Sequence, residues 1–480
     1  GAERSALLIV GFEMMKWFVS RARRRKGRSA DEVFLQTVNI EKKERIMKKK
    51  MMKWLALAGV LCLGAGVLAS CGGKGSAGDG SGEKKADGKT ALSLAIWDEK
   101  QRPMTEELIA AYEKEHPDVS IEVQLTPYKG GEYWTKLEAA ATGGKAPDVF
   151  WVNVLHTDSY VEGGIMADLT DAIKKSDIKD NFPESLINNY VRDGKNYAVP
   201  KDFDTNALWY NKEIFDKAGV SYPTNDMSYD DLVAKAEELK KAGLPDGVYP
   251  FACPVDFQTW YYQTVFANGG WILSEDKKTS GYDDPKTQGG IQCWIDMIDK
   301  GLSPSSSALA ETGPDAMFEG GQLAMNFAGS YMVPEYVNND NIKDKIACVE
   351  LPTFNGKKTN CINGLGYAVY EGSKNKEAAT DFAIWLSSKE ANDIQGKTGV
   401  AISARNESQD LFAKSSDKYD LSVYTAHVDS AYPLPVCKNA AELYDMESKA
   451  LQKAYSGEES LADACKKLKT DADAFLAKNQ

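Results

Sequence analysis

From Ala91 onward the sequence predicts an α/β fold on mainly parallel sheets. Three observations carry this. Hydrophobic spacing switches repeatedly between strand and helix periods, Pro or Gly marks the switches, and each strand-to-strand interval leaves room for a helical crossover. Leu92-Ser93-Leu94-Ala95-Ile96-Trp97 alternates as a strand. Residues 103–116 place Leu108, Ile109 and Tyr112 on one helical face, with Pro103 opening the helix and Pro117 stopping it. Residues 119–125 form a second strand, 133–141 a second helix closed by Gly143-Gly144, and Val149-Phe150-Trp151-Val152 a third strand. This order gives parallel strands with right-handed crossovers. Such sheets bind ligands beyond the carboxyl ends of their strands, here Trp97-Asp98-Glu99 and Trp151-Val152-Asn153. Further helices are expected over 212–218, 229–241, 259–267, 285–300, 377–386, 440–455 and 461–476. Further strands are expected over 207–210, 323–327, 346–351 and 365–370.

Upstream, 47–70 has the pattern of an export signal: Lys48, Lys49, Lys50 and Lys53, then an apolar run, then Leu68-Ala69-Ser70-Cys71. That ending resembles the lipobox of bacterial lipoproteins, which implies lipidation of Cys71 and a membrane tether. A transmembrane helix fits less well, because Trp54 to Gly73 includes five glycines. The purine-rich back-translation of Glu41-Lys42-Lys43-Glu44-Arg45 makes Met47 the expected start and 1–46 an upstream-translated extension. Residues 71–90, rich in Gly, Ser and Lys, read as a flexible tether.

The chain carries a net charge of −12, and from Cys71 onward it is −21, because 1–70 holds 15 basic against 6 acidic residues. So acidic a body argues against nucleic acid or an anionic lipid surface as ligand. Cys253, Cys293, Cys348, Cys361, Cys437 and Cys465 form no CxxC pair, and His116, His156 and His427 are the only histidines, so no metal site and no cofactor are expected. Cys348 and Cys361 could meet across a turn at Asn355-Gly356, which leaves a disulfide open. From Ala91 onward no GxSxG, HExxH, P-loop or GxGxxG motif occurs, which points away from an enzyme.

Nine phrases in order then make the chain resemble family 1 extracellular solute-binding proteins, the maltose-binding-protein group. Among them are Gly143-Gly144-Lys145-Ala146-Pro147-Asp148-Val149, Asn196-Tyr197-Ala198-Val199-Pro200, Leu208-Trp209-Tyr210-Asn211-Lys212 and Phe318-Glu319-Gly320-Gly321-Gln322-Leu323-Ala324-Met325. Asn225-Asp226-Met227-Ser228-Tyr229 departs from the family's usual helix start, but Ser228 still supplies a cap. The resemblance implies a two-lobed type II periplasmic-binding-protein-like fold, each lobe a mainly parallel sheet flanked by helices, with a hinged cleft between. It places the amino lobe at 91–203 and 352–402 and the carboxy lobe at 204–351 and 403–480, with crossings near 201–206, 350–354 and 402–404. A monomer is expected, capturing a carbohydrate and working with ABC permease subunits.

A sugar presents C–H faces to aromatic rings and hydroxyls to carboxylates and amides. Trp97 and Trp151 end neighbouring strands, and the resemblance puts Trp151 at a sugar-stacking position. It likewise puts Tyr331, after Ser330, at a cleft aromatic, and Tyr444 at another. Polar candidates are Asp98, Glu99 and Asn153, then Asp202 and Asp204 in the first crossing. Asp256 and Trp260 are expected in the carboxy-lobe wall, with Asn363, Gly364 and Arg405 as further contacts. Gly364 and Gly366 also read as residues that permit tight backbone turns. Three alternatives stay open: a glycosidase using two carboxylates, a surface sensor, and a binder of a peptide, polyamine or oxyanion.

Overall fold

The computed structural model describes residues 88–128 and 131–479. The extension 1–46, the signal 47–70, Cys71 and the tether as far as residue 87 lie outside the described residues. Eight strands form two principal sheets: β1 (Thr90–Ile96), β2 (Val119–Leu125), β3 (Val149–Asn153), β4 (Ala198–Pro200), β5 (Asn206–Asn211), β6 (Met325–Gly329), β7 (Ile346–Val349) and β8 (Leu365–Val369).

The first sheet has the order β2-β1-β3-β8-β4. β1 pairs in parallel with both β2 and β3, as the spacing predicts. Helix Arg102–Glu115 buries Met104, Leu108, Ile109 and Tyr112 on one face. Helix Glu132–Thr142 buries Tyr133, Trp134 and Leu137 and stops at Gly143. β3 is buried at every position, because it lies mid-sheet, and this accounts for its unbroken apolar run. β8 closes the sheet through antiparallel pairings with β3 on one side and β4 on the other. The direction follows from the path of the chain: β8 returns from the second sheet and enters at the edge where β3 ends, Leu365 opposite Asn153.

The second sheet, β7-β5-β6, is antiparallel throughout. This corrects the expectation of a mainly parallel sheet in each lobe. β5 enters directly from the first sheet through residues 201–205, and β6 and β7 then run back beside it toward the crossing edge. The chain leaves this sheet after Val349 and regains the first at Leu365. A third crossing pairs Ile402–Ser403 with Asp202–Phe203. The carboxyl ends of β1, β3, β4, β6 and β7 therefore all meet where the chain passes between sheets.

One hydrophobic cluster surrounds the first sheet and continues through Phe203, Ile402, Ala404 and Tyr424 to Trp209 and Tyr336 at the second. Trp209 Nε1 donates to the Tyr424 hydroxyl at 2.6 Å. A second cluster packs helices Pro285–Asp299, Ala440–Tyr455 and Leu461–Lys478 together. Within it Glu447 is wholly buried and accepts from the Tyr262 hydroxyl at 2.8 Å. Burial pushes its carboxyl up to about 8, against the opposing pull of hydrogen bonding from tyrosines.

Ser228 caps helix Tyr229–Lys241 in a reciprocal box with Asp231. The helix expected over 259–267 starts earlier, as a π turn Phe257–Tyr261 capped by Asp256, and continues as Tyr262–Ala267. Helices Val154–Glu162 and Lys389–Thr398 were not anticipated. The turn at Asn355-Gly356 exists, with both residues at positive φ, but Cys348 lies opposite Trp209 and Cys361 opposite Tyr432. Both thiols are free, so the disulfide left open by the sequence does not form.

Candidate functional site

The first wall rises from the carboxyl ends of β1, β2 and β3. Trp97, half-buried, packs edge-on against Trp151 with ring centres 5.2 Å apart and planes at 88°. Tyr133, Trp134 and Tyr128 surround it at 4.8, 5.4 and 5.7 Å. Tyr128 is 50% exposed, an open aromatic beside the half-buried indole. Trp134 stacks on His156 at 3.7 Å, and His156 Nδ1 lies 2.8 Å from Asn153 Oδ1. Burial lowers the imidazole to about 4, so it is neutral at physiological pH. Asp98 caps the short turn Glu99–Gln101, accepting from the Lys100 backbone at 2.9 Å and from Gln101 Nε2 at 3.1 Å. Glu99 is exposed.

The floor is the crossing. Asp202 is buried, pairs with Lys201 and accepts from the Leu365 backbone at 2.9 Å. Asp204 accepts from Gln258 Nε2, and Gln258 Oε1 accepts from Asn363 Nδ2 at 3.1 Å. Burial, then the nearby Asp202, holds the Asp204 carboxyl well above the usual carboxylate range. Burial also raises Asp256, whose carboxylate accepts from the Thr259 backbone at 2.7 Å. At Gly364 a Cβ would lie 2.3 Å from the Asp202 carbonyl oxygen. Close approach of two backbones, not the turn conformation expected from sequence, requires glycine there, and Gly366 similarly admits the Tyr190 ring.

The opposite wall follows β6. Ser330 is buried, its N–H donating to the Thr205 carbonyl at 2.9 Å. Tyr331 is 44% exposed, and its ring lies so close over Gly329 that a Cβ there would meet Cε1 at 2.1 Å. Enclosure of its hydroxyl end, then the carboxyls of Asp315, Asp256 and Asp204, hold the phenol well above its ordinary pKa although the residue is open to solvent. Lys100 from the first wall and Glu335 from the helix beyond Tyr331 pair at 3.1 Å, linking segments that leave the two sheets. The first wall thus offers aromatic faces, the crossing carboxyl and amide groups, and the opposite wall a further exposed aromatic.

The family model for bacterial extracellular solute-binding proteins matches residues 97–393. The chain belongs to that family. An ABC substrate-binding protein of Listeria monocytogenes, solved in complex with cycloalternan, superposes with a TM-score of 0.74 at 25% identity, covering 81% of this chain and 99% of the other. The maltooligosaccharide ABC transporter solute-binding lipoprotein of Streptococcus pneumoniae is 24% identical over 435 residues, 87% of this chain and 96% of that protein. The diacetylchitobiose binding protein of Streptomyces coelicolor is 27% identical over 375 residues, 74% and 82% of the two chains. The fold is that of the two-lobed type II periplasmic binding proteins.

In this solute-binding protein eight predicted contacts are enclosed, Asn153, Asp202, Ser330 and Gly364 among them. Trp151 has no exposed surface. Trp260 is buried with Nε1 donating to the Ala252 carbonyl at 2.9 Å. Tyr444 packs on Phe257 at 4.3 Å and donates to the Pro435 carbonyl at 2.6 Å. Arg405 is buried and committed to Asp177 at 2.7 Å and Glu407 at 3.2 Å. Of the others, Asp204 and Asn363 both bond Gln258 at the crossing, the Asp204 carboxyl acts on the Tyr331 phenol, and Trp97 and Asp98 follow β1 on the first wall. Sequence reasoning missed Tyr128, Gln258 and Lys201. Tyr128 was accessible to it, since the rule that selects Trp97 after β1 also selects the residues after β2.

Proposed function

We propose that this protein captures an oligosaccharide between the Trp97–Tyr128 face and Tyr331 and delivers it intact to ABC permease subunits. The observation that carries the reading is the pair of exposed aromatics, Tyr128 and Tyr331, that follow strands of the two sheets, with Asp98 capping the turn after β1 and the Asp204–Gln258–Asn363 chain at the crossing. Stacking rings suit the C–H faces of a sugar, and the polar groups suit its hydroxyls. The three relatives above, named for or solved with oligosaccharides, support the same ligand class. The acidic groups around Tyr331 disfavour an oxyanion. The lobes comprise 91–203 with 352–402 and 204–351 with 403–480, closing about the crossings.

Calorimetry against maltotriose, N,N′-diacetylchitobiose, arabinotriose and galactotriose tests the ligand class. At least one sugar binds and is recovered unhydrolysed. Heat signals from none of them, or steady release of reducing sugar, would refute the reading. Trp97→Ala weakens that binding by about ten-fold or more, the scale of a hot-spot aromatic, while the thermal midpoint stays close to the parent's.

Attachment to the outer face of the cell membrane runs through acylated Cys71, and a monomer suffices for capture. Metabolic labelling with a radioactive fatty acid is expected to mark the protein, and Cys71→Ser abolishes the label. Equal labelling of both forms counts against the anchor.

A further inference from the structure

We propose that Lys201 is a positioning residue for the site: its buried ammonium sets the Gln101 amide and the Trp151 ring, and through them Asp98 and Trp97. This rests on the oligosaccharide reading for its consequence, though the geometry stands without it. The Lys201 side chain has no exposed surface. A buried ammonium is costly unless it is paired and its donors are satisfied. Asp202, next in the chain, supplies the countercharge. Neutralising the lysine needs nothing more, yet the ammonium also reaches two other segments. It donates to Gln101 Oε1 at 2.8 Å and lies 4.5 Å from the centre of the Trp151 ring.

Each of those contacts fixes something that faces the cleft. An ammonium only donates, so it takes the oxygen end of the Gln101 amide. That leaves Gln101 Nε2 to hold Asp98 Oδ2 at 3.1 Å. Gln101 is itself buried, so water does not offer an equivalent partner. The cation over the indole face holds Trp151 in place, and the edge of Trp151 is what Trp97 packs against. The backbone of Lys201 also joins the crossings. Its N–H donates to the Leu365 carbonyl at 2.8 Å, and its carbonyl accepts from Ala404 N at 3.3 Å and from Gln395 Nε2 at 3.0 Å. One residue therefore registers two proposed ligand contacts against the hinge.

The test separates positioning from simple charge pairing. K201M alone strands the buried Asp202 carboxylate and is expected to lower the thermal midpoint. K201M/D202N removes both charges, retains an oxygen for the Leu365 N–H, and restores much of that loss. Two readouts are taken on the double variant. Its affinity for the tightest-binding of the four sugars above falls about ten-fold, the scale of coupling within one hydrogen-bond network. Fluorine NMR of ligand-free, fluorotryptophan-labelled protein shows the Trp97 and Trp151 resonances, assigned with W97F and W151F, shifted or broadened while the other indoles stay put. Unmoved resonances overturn the proposal whatever the sugars do, and so does parental affinity in the double variant. If the parent protein binds none of the four sugars, the functional reading fails and the NMR result still decides the role of Lys201.

Discussion

Trp151→Ala lowers the unfolding free energy by about 3–5 kcal/mol, as expected for deleting a large aromatic from a packed interior, and chemical denaturation measures it directly. The indole has no exposed surface and sits on β3, with β1 on one side and β8 on the other. Its ring meets the edge of Trp97 and carries the Lys201 ammonium. Truncation leaves a cavity and a buried cation without its π face, so the cost exceeds that of the same change at Trp97, which is only partly buried. Equal stability of Trp151→Ala and the parent would mean that the ring is not a core element. The contrast between the two tryptophans is the sharper measurement: one substitution is read mainly in stability, the other mainly in affinity.

Glu447→Gln stabilises the protein at pH 8 by something of the order of a few kcal/mol and flattens its pH dependence. The sign follows from the carboxyl's rise from 4.5 to about 8 on burial. Below pH 4.5 both folded and unfolded chains hold the proton, and the group is neutral to stability. Between 4.5 and 8 the unfolded chain releases a proton that the folded chain keeps, so stability falls as pH rises. Above 8 the folded chain also ionises and the decline levels off. Glutamine keeps the shape and an acceptor for the Tyr262 hydroxyl without the titration. Thermal midpoints across pH 4 to 9 decide it: parallel curves for the two proteins would show that Glu447 is not the group responsible.

The structure explains which of these features were legible in the residues. β1, β2, β3 and their intervening helices are set by local periodicity, and the expected and observed spans differ by a residue or two. The antiparallel second sheet was not legible, because strand direction there depends on where the chain crosses and not on spacing along it. Trp97 reads correctly as a strand-end aromatic. Trp151 does not, since an apolar run cannot say that strands far apart in sequence flank it on both sides. Lys201 looks like part of a polar loop, and its partners Gln101 and Trp151 are distant in the chain. Glu447 left a fainter trace: it interrupts the apolar stripe of Ala440, Leu443, Tyr444, Leu451, Ala454 and Tyr455 at a position where a surface glutamate would be out of place.

The late return of β8 has a consequence for biosynthesis. β3 is finished at Asn153, yet its second neighbour begins only at Leu365, more than two hundred residues further on. Throughout that interval a nascent or truncated polypeptide presents a strand with four successive apolar residues, Val149 to Val152, as a naked sheet margin, the type of margin that recruits other chains into aggregates. Keeping the precursor unfolded until translation is complete would remove that hazard, and a secretory route provides such a delay.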